Sequence, residues 1–173
     1  KGQLQTLEFL NNFKKIENNF KCIFIGGPSG KYGNEYLQDL KQTVKDFNLD
    51  TNVEFLDTLP QIKIIELLNK AKLLIHTSKF ETFGLVAIEA QTMGVPVLSI
   101  NNGSLMEIIE NNKNGYLSDT LINKDVTNFV NNLLNENEIF EDISSSCIEM
   151  SKKYDWKKTS QTIQNIYEEL VTY

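Results

Sequence analysis

The stretch LLIHTSKFETFGLVAIEAQTMGVPVLSI, residues 73–100, holds two short apolar runs with a helical segment between them. LLIH (73–76) and PVLSI (96–100) do not alternate apolar with polar residues, so neither reads as a strand with one wet face. Both read as strands buried on two sides, and Gly94 with Pro96 closes the helix that joins them. Strand, crossover helix and second strand form the unit of a parallel sheet.

The same alternation extends outward in both directions. Leu4, Leu7, Leu10, Phe13 and Ile16 recur at helical spacing and predict a helix over residues 4–20. CIFIG (22–26) is a strand entering the glycine-rich loop GPSGKYG, and Asn34 is the expected N-cap of a helix bearing Tyr36, Leu37, Leu40, Val44 and Phe47. VEFL (53–56) follows the turn NLDTN, and Pro60 opens a helix through IKIIELLNKA. Downstream, SLMEIIEN predicts a short helix and NNKNGYL a turn into a brief fifth strand. From Lys124 onward the chain reads as helical, ending in an amphipathic segment around Trp156, Ile163, Ile166, Tyr167 and Leu170. The expected fold is α/β, a doubly wound parallel sheet, which binds ligands beyond the carboxyl ends of its strands. The loops after Ile25, Leu56, His76 and Ile100 are therefore the places to look.

Composition narrows the function classes. At 173 residues the chain suits one domain, residues 1–173, with a sizeable core. A net charge of −6 argues against a nucleic-acid groove but not against one small anion held by backbone amides. Cys22 and Cys147 lie far apart in dissimilar contexts, which fits unpaired thiols and a cytoplasmic setting. No signal peptide is expected, and no apolar run within residues 1–173 approaches the length of a membrane span, roughly 20 residues.

Most familiar motifs fail on spacing. GGPSGK (26–31) has three residues between Gly26 and Gly30 where a phosphate loop has four, and Tyr32 follows Lys31 where Ser or Thr is needed. Gly26 and Gly27 fit a flexible loop, or a place where a ligand lies close to the backbone. His76, the only histidine, reads first as a structural residue at a strand end. Two distant cysteines and one histidine make no zinc cluster, so no metal site is expected.

The glutamates Glu81 and Glu89 form an E-x7-E spacing of another kind. If a helix opens near Gly84, the amides of Phe83, Gly84 and Leu85 point out of its first turn, where the macrodipole favours an anion. Glu89 then lies about 7 to 8 Å along the axis, at 1.5 Å per residue. Carboxylate, amides, carboxylate is the complement of a ligand with a diol at each end of a diphosphate. The competing reading is two solvated glutamates near a helix end.

The surrounding residues separate these readings. SKFETFGLVAIEAQTMGVPVLSINNGSLMEIIENNKNGYL, residues 78–117, resembles the donor-binding segment of family 4 retaining glycosyltransferases, which have the GT-B fold. The pattern is carried by Glu81, Phe83, Gly84, Leu85, Glu89, Ala90, Gly94, Pro96, Val97, Gly103, Glu107, Ile108, Asn114 and Gly115. Thr82 replaces a commoner glycine or serine, and Ser104 and Met106 stand where glycine and proline are frequent.

The resemblance implies a Rossmann-like, nucleotide-sugar-binding C-terminal half of a hexosyltransferase. It implies Glu81 at the transferred sugar as the catalytic-site carboxylate and Glu89 at the ribose. Amides near Phe83, Gly84 and Leu85, with Gly27 and the lysine of Lys1-Gly2, would hold the diphosphate. It implies no cofactor, only a UDP-, GDP- or ADP-sugar as substrate. It also implies an acceptor-binding half outside this sequence, through which peripheral membrane association remains open. A first strand would lie between CIFI and LLIH, giving the order VEFL, CIFI, first strand, LLIH, PVLSI, last strand. Because open strand edges are a liability, the gap is expected to be filled by residues upstream of this sequence, by a strand from a neighbouring chain, or by direct pairing of CIFI and LLIH. A sugar-nucleotide epimerase of similar fold and a non-catalytic nucleotide-sugar-binding module remain as alternatives.

Overall fold

A computed structural model of the chain describes residues 2–101 and 103–171. Helix α1 (Gln3–Phe13) leads into strand β1 (Cys22–Ile25), helix α2 (Gly33–Asp46) and strand β2 (Val53–Leu56). Then come α3 (Gln61–Leu68), β3 (Leu74–His76), α4 (Leu85–Thr92), β4 (Val97–Ile100), α5 (Leu105–Ile108) and β5 (Gly115–Ser118). The chain closes with α6 (Lys124–Asn135), α7 (Asn137–Ser151), a 3-10 turn (Lys152–Tyr154) and α8 (Trp156–Val171). All strand pairs are parallel: β1 with β2, β3 with β4, and β4 with β5.

Doubly wound architecture is visible in how alternate residues divide. Leu74, Val97 and Leu117 pack with Ala87, Ile88 and Ala90 of α4 and with Leu105 and Ile108 of α5. Their neighbours Ile75, Leu98, Ile100 and Tyr116 face the other way, into a cluster with Leu7, Phe9, Leu10 and Phe13 of α1 and with Phe129, Leu133, Ile143 and Cys147 of α6 and α7. Strand side chains alternate between faces, so a layer of helices on each side buries both.

Three local expectations need correction. Helix α1 stops at Phe13 instead of running to residue 20. The Glu17 carboxylate accepts the Asn19 amide at 2.6 Å, and Asn52 Nδ2 donates to the carbonyls of Asn18 and Phe20 at 3.0 Å each. These side-chain bonds offer the backbone an alternative to helix. They turn Phe20 back onto Phe13, with ring centroids 5.7 Å apart. Helix α2 takes Tyr32, not Asn34, as its N-cap. The third correction concerns burial. β4 is enclosed, but on β1 Ile23 and Ile25 are 38% and 41% exposed.

The sheet falls into two parts, β2-β1 and β3-β4-β5. Among the described residues no strand pairing joins β1 to β3, so the direct closure of CIFI onto LLIH does not form. On either side of that break the strand order is the expected one. Both cysteines are free, and burial pushes each thiol up to about 12.

Candidate functional site

The site forms where β3 ends and the chain turns into α4. Thr77, directly after β3, anchors the start of α1: its Oγ1 donates to the Gly2 carbonyl at 2.8 Å and meets Thr6 Oγ1 at 3.1 Å. Gly2 has φ 82°, and a Cβ there would fall 2.0 Å from the Thr77 carbonyl oxygen. The start of α1 is thereby pressed against the carboxyl end of β3. Lys1, expected at the diphosphate, lies outside the described residues.

Gly84 is the N-cap of α4, in the left-handed region at φ 86°. A Cβ on it would meet Leu105 Cδ2 at 2.7 Å and Ile108 Cδ1 at 3.0 Å. Lacking a side chain, Gly84 would leave room for a phosphate at the helix start. The structure gives it another reason to lack a side chain, the close approach of α5. Gly103 makes a similar approach from the loop after β4, with a Cβ position 2.7 Å from the Glu81 carbonyl oxygen.

Glu81 lies in the loop with both carboxylate oxygens engaged. Oε1 accepts the amides of Thr82 and Gly84, each at 3.2 Å, and Oε2 lies 3.2 Å from His76 Nε2. Partial burial acts to raise its pKa. The Gly84 amide, the charge and hydrogen bond of His76, and the Phe83 amide outweigh that, so the carboxyl sits below its ordinary 4.5. An anion thus already rests at the start of α4, where the helix dipole favours one.

The amides of Leu85 and Val86 belong to the first turn of α4 and make no hydrogen bond among the described residues. Glu89 follows on the exposed side of the helix with Leu85 and Val86, while Ala87, Ile88 and Ala90 are buried. Positions three and four apart share a helix face, so Glu89 stands one turn beyond those amides. Its carboxylate has no hydrogen-bond or ion-pair partner among the described residues. Phe83 is half exposed and meets the Tyr154 ring edge-on at 6.2 Å between centroids.

Glu81, Phe83, Gly84, Leu85 and Glu89 therefore come together around one helix start. Gly27 lies in the loop that follows the carboxyl end of β1. A Cβ on it would meet Asp57 Oδ1 at 2.7 Å, so its small size accommodates the loop after β2. Three contacts are not given by the sequence: His76 with the Glu81 carboxylate, Gly103 against the Glu81 carbonyl, and Tyr154 beside Phe83. His76 and Gly103 carried a signal, since both lie at carboxyl ends of strands. Tyr154 carried none. Among the described residues no group of three or more His, Cys, Asp or Glu side chains is placed to hold a metal ion. No helix there is long and apolar enough to cross a membrane.

The family model for glycosyl transferases group 1 matches residues 1–153. The alpha-1,3/1,6-mannosyltransferase ALG2 of Dictyostelium discoideum is 35% identical over 124 residues, covering 70% of this chain and 29% of that protein. Anabaena Alr3699/HepE, solved in complex with UDP and glucose, is 25% identical with a TM-score of 0.83, over 98% of this chain and 45% of that one. The C-terminal domain of LpcC, a glycosyl transferase group 1 family protein of Francisella tularensis, shares the fold at a TM-score of 0.79 and 22% identity, over 90% of this chain and 80% of that one. The chain spans less than half the length of the first two relatives. With the family model covering nearly the whole α/β core, the chain belongs to the glycosyl transferases group 1, and its fold is that of GT-B enzymes.

Proposed function

We propose that this chain is the donor-binding, C-terminal half of a retaining glycosyltransferase that moves a hexose-type sugar from a nucleotide to an acceptor. One observation carries the reading: the amides of Leu85 and Val86, in the first turn of α4 and between Glu81 and Glu89 in the chain, have no hydrogen-bond partner among the described residues. A diphosphate meets the amides, the sugar's hydroxyls meet Glu81, and the ribose hydroxyls meet Glu89. Phe83 and Gly84 shape the turn, and Lys1 adds a positive charge. Relatives support the donor class, because the Anabaena protein was solved with UDP and glucose.

Transfer requires the leaving phosphate to be stabilised as its bond to the sugar breaks. Amides fixed at a helix start do this without reorganising. It also requires an acceptor hydroxyl held near the anomeric carbon, which proximity makes effective. The acceptor comes from a second half of the protein, and closure of the two halves excludes water. The open edges of β1 and β3 fit a further strand of the same protein lying between them.

Titrating the chain with UDP-glucose, GDP-mannose and ADP-glucose tests the proposal. One of them should bind at about 0.1 to 1 mM, the strength of a cleft with one wall. No sugar should be transferred without the second half. Failure of all three to bind at millimolar concentration contradicts the proposal.

A further inference from the structure

We infer that His76 is a positioning residue for the sugar-recognising carboxylate, its Nε2 at 3.2 Å fixing Glu81 Oε2 so that the carboxylate presents one orientation to the donor sugar. The inference rests on the donor-binding reading and goes beyond it, since it assigns a role to a residue outside the E-x7-E pair.

Rigidity is the first argument. His76 is the last residue of β3, in register with Ser99 of β4, so its backbone is held by the sheet. Glu81 lies in an irregular loop. Their side chains are 11% and 18% exposed, so the contact is shielded from most of the solvent. A carboxylate in a loop gains a fixed plane only if both oxygens are tied down. Thr82 and Gly84 amides tie Oε1, and His76 is the partner of Oε2. Each carboxylate oxygen offers about two acceptor directions, so Oε2 keeps one for a sugar hydroxyl.

The second argument is the state of the ring. Opposite an ionised carboxylate, which only accepts, Nε2 must carry the proton. His76 Nδ1 is buried and has no hydrogen-bond partner among the described residues. A histidine retained only to knit the fold would have both nitrogens satisfied. Here the nitrogen that is bonded is the one that serves Glu81.

The test compares His76→Leu and His76→Gln with the wild-type protein. Affinities are measured for UDP, GDP and ADP, each alone and as UDP-glucose, GDP-mannose or ADP-glucose. The quantity read is the factor by which the sugar strengthens binding over the bare diphosphate. His76→Leu should reduce that factor about tenfold, the scale of a charge-assisted hydrogen bond. His76→Gln, which keeps a donor, should recover most of it, and both variants should bind the bare diphosphate as the wild type does. An unchanged factor in His76→Leu overturns the inference and leaves the donor-binding reading standing. Equal loss of diphosphate and sugar-nucleotide affinity also overturns it, by showing a general structural role. A wild type for which the sugar adds nothing removes the role of Glu81, and this inference falls with it. Nitrogen-15 spectra of the histidine ring give an independent reading, because the chain has one histidine. An Nε2–H tautomer that shifts on Glu81→Gln supports the role, and an Nδ1–H tautomer overturns it.

Discussion

β4 and β1 are both four-residue parallel strands built from apolar residues, and they differ in company. β4 has a partner on each edge and helices on each face, and Val97, Leu98 and Ser99 are wholly buried. β1 has β2 on one edge only, and Ile23 and Ile25 keep about two-fifths of their surface in solvent. Apolar composition made the two look equivalent. What distinguishes them is the number of neighbours, and the three-stranded part built around β4 is the one that carries the site, at the end of its edge strand β3. β3, α4 and the loop after β4 rest on β4 and α5, so Glu81 and Gly84 are set on the better-packed half.

Core truncations should expose this contrast most strongly. Leu98→Ala should lower stability by about 3 to 5 kcal/mol, the cost of a cavity in a closed core. Ile25→Ala should cost about 1 kcal/mol, because much of that side chain already meets water. Urea denaturation of both variants measures the difference. A cost at Ile25 equal to that at Leu98 would mean that the outer face of β1 is covered in the protein.

Glycine replacements should follow the same gradient at a smaller scale. Gly84→Ala forces an alanine to φ 86° and drives its Cβ into Leu105 and Ile108, so about 2 to 4 kcal/mol should be lost. Gly26 is at φ 125° with nothing within 4 Å of a Cβ, so Gly26→Ala should cost only backbone strain, about 1 to 2 kcal/mol. Thermal unfolding of the pair checks the order, and a reversed order would break it.

A smaller effect should appear in acid. The Glu81 carboxyl is held below 4.5 in the fold, so the protonated form is the one that folding disfavours. Its stabilising contribution is complete above about pH 4.5 and is lost as pH falls through the lower folded value. Glu81→Gln should therefore lose less stability than the wild type between pH 5 and the acid limit, with pH values on the order of those at which carboxylates titrate. Parallel acid titrations of the two proteins read this directly. The smallest expected effect is that of EDTA, which should leave sugar-nucleotide affinity unchanged if amides and a lysine hold the diphosphate. Binding that requires magnesium or manganese would undo that account.

The strands and their parallel order could be read from CIFI, VEFL, LLIH and PVLSI, because short unbroken apolar runs between helices leave few alternatives. The end of α1 could not, because the Asn52 side-chain bonds that help turn the backbone join residues 34 and 32 positions apart. The two glutamates stood out through the resemblance of residues 78–117, because E-x7-E spacing alone fits two solvated side chains equally well. The His76 partnership was not legible, since an irregular loop between residues 76 and 81 has no period from which to infer a contact. Tyr154 lies 71 positions from Phe83, and only the return of α7 beside α4 brings them together.

The central claim is that the two carboxylates divide the donor between them, and calorimetry on Glu81→Ala and Glu89→Ala tests it most directly. Each variant is titrated with the preferred nucleoside diphosphate and with its sugar derivative. Glu89→Ala should weaken both ligands by about 1.5 to 3 kcal/mol, the loss of charge-assisted bonds to the ribose. Glu81→Ala should weaken only the sugar-bearing ligand. Equal losses for both ligands in both variants would contradict the division.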